Sequence, residues 1–300
     1  MSLSLQARFW RFILRKTIKE PRLTIPQHRA QAAKTARLAG RVPQDVTIEE
    51  LKIDGLRAIW IRPTGADNDL VFLHLHGGGY VTGSIDSYRM MCIPLARTLK
   101  MNLLLPEYRL APEHPFPAAL EDALAVYRWL LAQGHQPGNI VICGDSAGGG
   151  LTLATIQALR AAGEPLPGAV ICLSPWADLT HQGQSHLTKA KSEVMLKTDV
   201  LKEWALCYTD AANLTNPLVS PVYADFHDFP PLLIQVGSEE ILLDDARMVA
   251  EKASAAGVEV TLKVWDDLWH VWPALGELLP ESRQSFEEIR QFIASNWKAD

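Results

Sequence analysis

The chain has 300 residues, 48% of them hydrophobic and 21% charged, with a mass of 33.3 kDa and a mean hydropathy of zero. That composition supplies a sizeable core and excludes a wholly disordered, collagen-like or low-complexity chain; no apolar run approaches the about 18 residues of a membrane span. The formal charge of −5 hides an asymmetry, because residues 1–41 hold ten Lys/Arg against the single acid Glu20, on an otherwise acidic body for which no nucleic-acid partner is expected.

The basic N-terminal segment reads as helix-rich, with breaks at Pro21 and Pro26. Arg8, Arg11, Arg15 and Lys19 form a cationic stripe beside Leu5, Phe9, Phe12 and Ile13. The spacing predicts a lid helix held down by its apolar stripe with its charges in water, in preference to an interfacial helix on anionic lipid. Phe12-Ile13-Leu14 is too short for the apolar region of a signal peptide, so a cleaved signal is not expected. The four cysteines, Cys92, Cys143, Cys172 and Cys207, lack C-x-x-C spacing, which fits a reduced, cytoplasmic protein.

From residue 46 the pattern becomes regular. Val46 to Ile53 and Leu56 to Arg62 are β-rich runs separated by Asp54-Gly55, a tight-hairpin dipeptide. Apolar runs follow at Leu70–Leu75, Asn102–Leu105, Ile140–Cys143, Ala169–Leu173 and Leu232–Val236, then a mixed run at Val258–Trp265. Such runs suit strands covered on both faces. Helical patterns fall between and after them at Asp86–Leu99, Ala118–Ala132, Ala147–Ala161, Leu243–Ala256 and Glu281–Asn296. A hairpin followed by alternating strands and helices predicts an α/β fold, with a mostly parallel sheet of eight strands and chemistry at the strands' carboxyl ends. Residues 178–215 interrupt this rhythm with one helical pattern, Thr198–Tyr208. An insertion of that length suggests a lid, so residues 1–45 and 178–215 are read as a cap, and 46–177 and 216–300 as the two parts of the core.

Gly144-Asp145-Ser146-Ala147-Gly148 follows the strand Ile140–Cys143 and opens a helix. A sharp strand-to-helix turn forces a serine into an exposed, strained backbone, and flanking glycines avoid collisions within it. The hydroxyl needs a base that follows later in the chain, and of nine histidines only His270 lies beyond Val236. A carboxylate to orient that base is expected after the strand Leu232–Val236, where Glu239, Glu240, Asp244 and Asp245 compete and spacing does not choose. His76-Gly77-Gly78-Gly79-Tyr80, after another strand, offers backbone N–H groups for an oxyanion, with a further donor expected from Ala147. His74 and His76 share a strand face, but no further ligand follows at metal spacing, so no metal is expected and His76 is read as a brace for the glycine loop.

Together with Tyr108-Arg109-Leu110-Ala111-Pro112-Glu113-His114-Pro115-Phe116-Pro117-Ala118-Ala119, these motifs resemble the hormone-sensitive lipase family of esterases, in its bacterial carboxylesterase branch, from about residue 45 onward. The resemblance implies the α/β hydrolase fold with a helical cap, and oxyanion donors at Gly78, Gly79 and Ala147, with Gly77 shaping the loop. It also implies an acid register Gly-x-x-Asp-x-Leu-x-Asp, matched by Gly237, Leu242 and Asp244, which puts Glu240 where aspartate is usual and leaves Glu239 as its competitor. The expected activity is a serine carboxylesterase acting on short- to medium-chain acyl esters of small molecules through an acyl-enzyme, without metal or cofactor. Tyr80, Met195, Leu196, Trp204 and Tyr208 offer apolar surface to the substrate, and related esterases suggest a homodimer through Val258–Val264. The alternatives are a deacetylase or lipase, or a receptor like those for plant gibberellins, which have lost the histidine.

Overall fold

The computed structural model describes residues 3–17, 23–36 and 41–296. Two helices come first, α1 (Leu5–Thr17) and α2 (Ile25–Ala36). Pro26 does not break a helix. It is the second residue of α2, where its missing N–H has no intrahelical partner to lose; the break expected at Pro21 falls outside the described residues.

The hairpin β1 (Val46–Ile53) and β2 (Leu56–Pro63) turns on Asp54 and Gly55, whose φ angles are +49° and +87°, the left-handed values a two-residue turn of this kind requires. Alternating strands and helices follow: β3 (Asp67–Leu75), α3 (Ile85–Leu99), β4 (Met101–Pro106), α4 (Ala118–Ala132), β5 (Ile140–Asp145), α5 (Ala147–Ala161) and β6 (Ala169–Leu173). After β6 come a short helix α6 (Ser185–Thr188) and α7 (Thr198–Tyr208), then β7 (Leu232–Gly237), α8 (Leu243–Ala255), β8 (Val260–Trp265) and α9 (Pro280–Asn296). β3 begins three residues before the apolar run, because Asp67, Asn68 and Asp69 form an exposed, irregular lead-in paired to β4. The eight strands form one sheet in the order β1-β2-β4-β3-β5-β6-β7-β8. β1, β2 and β4 pair antiparallel, and every pair from β4 onward is parallel.

The central strands β4, β5, β6 and β7 are buried at every position, as expected of strands covered on both faces. Side chains alternate between two cores. Ile142, Val170 and Ile234 face the side of α4, α5 and α8, whereas Val141, Ile171 and Leu233 face the side of α3 and α9. The parallel strands β3, β5, β6, β7 and β8 all finish on one edge, so the residues that follow them, His76, Ser146, Ser174, Gly237 onward and the His270 loop, are brought together there.

The packing of α1 corrects the sequence reading. Ala7, Trp10 and Leu14, with Leu3, pack on Val194, Trp265, Trp269, Trp272 and Leu279, while Leu5, Phe9 and Phe12 are 78%, 58% and 54% exposed. Three of the four residues of the stripe expected to hold the helix down, Leu5, Phe9 and Phe12, therefore face out, while Ile13 is half-buried. The helix is anchored instead by its opposite side, by Ser4 donating from N and Oγ to Glu281 at 2.8 and 2.9 Å, and by Arg11 against the Asp267 carbonyl and Glu239. Lys19 of the cationic stripe lies outside the described residues. α2 is pinned by Arg29, which donates to the Val81 and Ala111 carbonyls and to both oxygens of Glu113.

Ile142 is fully buried mid-sheet, so Ile142→Ala should destabilise by about 2–5 kcal/mol, whereas Lys52→Ala on the exposed edge strand should change stability by less than about 0.5 kcal/mol; urea unfolding midpoints measure both.

Candidate active site

β5 ends at Asp145 and α5 begins at Ala147, leaving Ser146 as the only residue between them. Its backbone sits at φ +52°, ψ −122°, a region that costs a non-glycine residue about 1–3 kcal/mol and persists only when its surroundings impose it. They do so by hydrogen bonds: Ser146 N donates to the Leu173 carbonyl at 2.9 Å, and its own carbonyl accepts from Gly149, Gly150 and Trp176 N–H. A Cβ at Gly144 would collide with the Gly148 carbonyl, and one at Gly148 with the Leu75 and His76 carbonyls. The glycines thus let the turn close on itself and on the end of β3.

His270 Nε2 lies 2.9 Å from Ser146 Oγ, and His270 Nδ1 lies 2.9 Å from Glu240 Oε2. The second oxygen of Glu240 accepts from Gly237 N at 2.6 Å and from Ser174 Oγ at 2.7 Å. Ser174 Oγ in turn accepts from Val271 N at 3.2 Å, which holds the β-branched Val271 in the left-handed region at φ +47°. Ser146, His270 and Glu240 are 7%, 3% and 0% exposed. Burial alone would lower the His270 pKa, but the hydrogen bond and charge of Glu240, with Glu193 and Asp145 adding to it, outweigh burial and raise the pKa above the ordinary imidazole value.

The competing acids point elsewhere. Glu239 pairs with Lys189 at 3.3 Å and with Arg11 at 3.6 Å. Asp244 accepts from Ser185 N and pairs with Arg247. Asp245 accepts from the amides of Ala177 and Asp178.

The glycine loop is clamped to the serine turn by a residue the sequence did not single out. Asp145 accepts from His74 Nε2 at 3.1 Å, from Gly77 N at 3.1 Å and from Tyr88 Oη at 2.7 Å. His76 donates through Nδ1 to the Gly77 carbonyl at 2.8 Å, stacks on Tyr108 at 4.2 Å between centroids, and is held below its ordinary pKa by burial. His74 and His76 are thus spent on the loop, and the described residues contain no group of three side chains that could hold a metal ion. Gly78 and Gly79 have φ angles of +115° and +61°. Among the described residues, no hydrogen bond takes the N–H of Gly78, Gly79 or Ala147.

The predicted substrate contacts divide into three groups. Tyr80 and Tyr208 stack face to face at 3.7 Å and are both buried. The Trp204 indole covers Gly79 so closely that a Cβ there would strike its ring, and His28 of α2 meets its edge at 5.1 Å. Leu196 packs on the core, whereas Met195 is 38% exposed, and no hydrogen bond or ring contact ties its side chain to the Ser146 site. Sequence reasoning also missed Glu193. Its Oε1 accepts from Val194, Met195 and Leu196 N, its Oε2 accepts from Ile241 N, and burial raises its pKa. An acid inside an insertion carries no pattern that distinguishes such a role from a solvated one.

Residues 72–274 match the model of a family described as having the α/β hydrolase fold. An acetyl-hydrolase of Streptomyces hygroscopicus is 46% identical over 236 residues, covering 79% of each chain. An esterase of Acinetobacter venetianus is 34% identical over 96% of this chain and 95% of its own. The crystal structure of an esterase from the bacterial hormone-sensitive lipase family superposes with a TM-score of 0.94 at 43% identity, over 99% of this chain and 100% of the other. With this fold and these relatives, the chain belongs to the α/β hydrolase family, in the hormone-sensitive lipase group of bacterial esterases.

Proposed function

We propose that the chain is a serine carboxylesterase in which Ser146 is the nucleophile, His270 the general base and then acid, and Glu240 the group that orients His270. The observation that carries the reading is the continuous chain of hydrogen bonds from Ser146 Oγ through His270 to a carboxylate with both oxygens occupied. Ser146 Oγ attacks the ester carbonyl carbon while Nε2 takes its proton. The N–H groups of Gly78, Gly79 and Ala147 receive the developing oxyanion. The imidazolium then returns the proton to the departing alcohol, leaving an acyl-serine. Water attacks that acyl group as Nε2 takes its proton, and collapse releases the acid and restores Ser146. No step draws on a metal or cofactor.

Residues 1–45 and 178–215 serve in this reading as a cap over the core of 46–177 and 216–300. The contacts of α1 with Val194 and of His28 with Trp204 support it, since they join the N-terminal helices to the insertion. Tyr80, Leu196, Trp204 and Tyr208 wall the substrate space, with Met195 at its rim. The acyl group is short to medium in length, in keeping with the acetyl-hydrolase among the relatives. The unpaired outer edge of β8 is offered to a second copy in a homodimer. Four free cysteines, three of them buried, suit a reducing cytoplasm.

Ser146→Ala should fold normally and lose at least about 10⁴-fold in kcat on p-nitrophenyl acetate, together with the burst; retained turnover would remove the mechanism. Glu240→Gln should lower kcat by about 10⁴-fold by mis-setting the imidazole tautomer, while Glu239→Gln, which alters only the partly exposed ion pairs with Lys189 and Arg11, should stay within about threefold of the parent. Because the base works only when neutral and its pKa is raised, kcat/KM should fall on the acid side with a midpoint above about 6.5, the free-histidine value. Across p-nitrophenyl esters from acetate to palmitate, kcat/KM should collapse at the long end.

A further inference from the structure

We propose that the outward face of α1 is a docking surface for an anionic lipid bilayer. Leu5, Phe9 and Phe12 occupy one side of the helix at i, i+4 and i+7 spacing, and each is more than half exposed. They are not needed to seat the helix, which is anchored from the opposite side by Ala7, Trp10 and Leu14. Three cations, Arg8, Arg15 and Lys16, are exposed on the same helix, and Lys16 Nζ lies 4.4 Å above the Phe12 ring. α1 contains no acidic residue. Its fourth cation, Arg11, is turned inward onto the Asp267 and Glu239 carboxylates, so the inward cation is matched by acids, whereas among the described residues no carboxylate pairs with Arg8, Arg15 or Lys16.

The chemistry of that partner follows from shape and charge. The surface is a convex helix crest, with apolar side chains flanked by cations, which sinks into the headgroup boundary of a bilayer without requiring a complementary groove. A second copy of the same face would bring Arg8, Arg15 and Lys16 against their own equivalents. Three apolar side chains alone give weak binding, and the three cations supply the second signal that stable attachment to anionic lipid requires. Of the seven large hydrophobic side chains most exposed among the described residues, three lie on this one helix face.

The test is flotation of the full chain with vesicles of phosphatidylcholine alone and of phosphatidylcholine mixed with phosphatidylglycerol, at low and high salt. The protein should float with the anionic vesicles only, and high salt should release it. Replacing Arg8, Arg15 and Lys16 together by Gln should weaken partitioning by about 100-fold, at roughly fivefold per cation, and Leu5→Ser, Phe9→Ser and Phe12→Ser combined should abolish it. Both variants should retain parental turnover of soluble p-nitrophenyl acetate, which shows that they are folded. Absence of the parent from anionic vesicles, equal binding by either variant, or a dimer in light scattering that the serine variant dissolves would each overturn the proposal, the last by assigning the face to a second copy.

Discussion

Glu240 keeps a carboxylate wholly out of water, and a buried charge is tolerated only when its oxygens are held by hydrogen bonds. Gly237 N, Ser174 Oγ and His270 Nδ1 supply them. Each donor comes from the end of a different strand or the loop beyond it, so satisfying one carboxylate fixes β6, β7 and the loop after β8 relative to one another. The position of the imidazole is a by-product of that constraint. The strained backbones of Ser146, Ser174 and Val271, all at positive φ, survive because the surrounding network gives them no cheaper alternative.

Asp145 does for the glycine loop what Glu240 does for the histidine. It is 1% exposed and receives hydrogen bonds from His74, Gly77 and Tyr88, so the residue next to the serine also sets the loop across from it. The serine and the free amides of Gly78 and Gly79 are thereby positioned by one piece of backbone. Registration of this kind matters where donors must meet a transient oxyanion with little reorganisation.

Much of this is legible in the sequence. Short apolar runs give the strands, because a parallel strand buried on both faces has no polar face to show, and the matches at Ala118–Ala132 and Ala147–Ala161 are to the residue. Strand ends drift where polar residues pair at an edge, as at Asp67–Asp69. The outward face of α1 is not legible, since apolar residues cover more than half of that helix's circumference and the cluster of Val194, Trp265, Leu268, Trp269, Trp272 and Leu279 decides which ones are covered. The choice of Glu240 over its three neighbours needed the family register, because a one-residue step along a loop redirects a carboxylate without changing the composition around it. Asp145, Ser174 and Glu193 each act through partners between 48 and 97 residues away, distances at which local pattern carries no information.

Glu193 ties the insertion to the loop that carries Glu240. Its carboxylate is shared between the amides of 194–196 in the insertion and that of Ile241, immediately after Glu240. Lifting that stretch would strip a buried acid of its partners and disturb the loop that carries Glu240. The stretch therefore behaves as a fixed jamb, moving only together with the loop that carries Glu240.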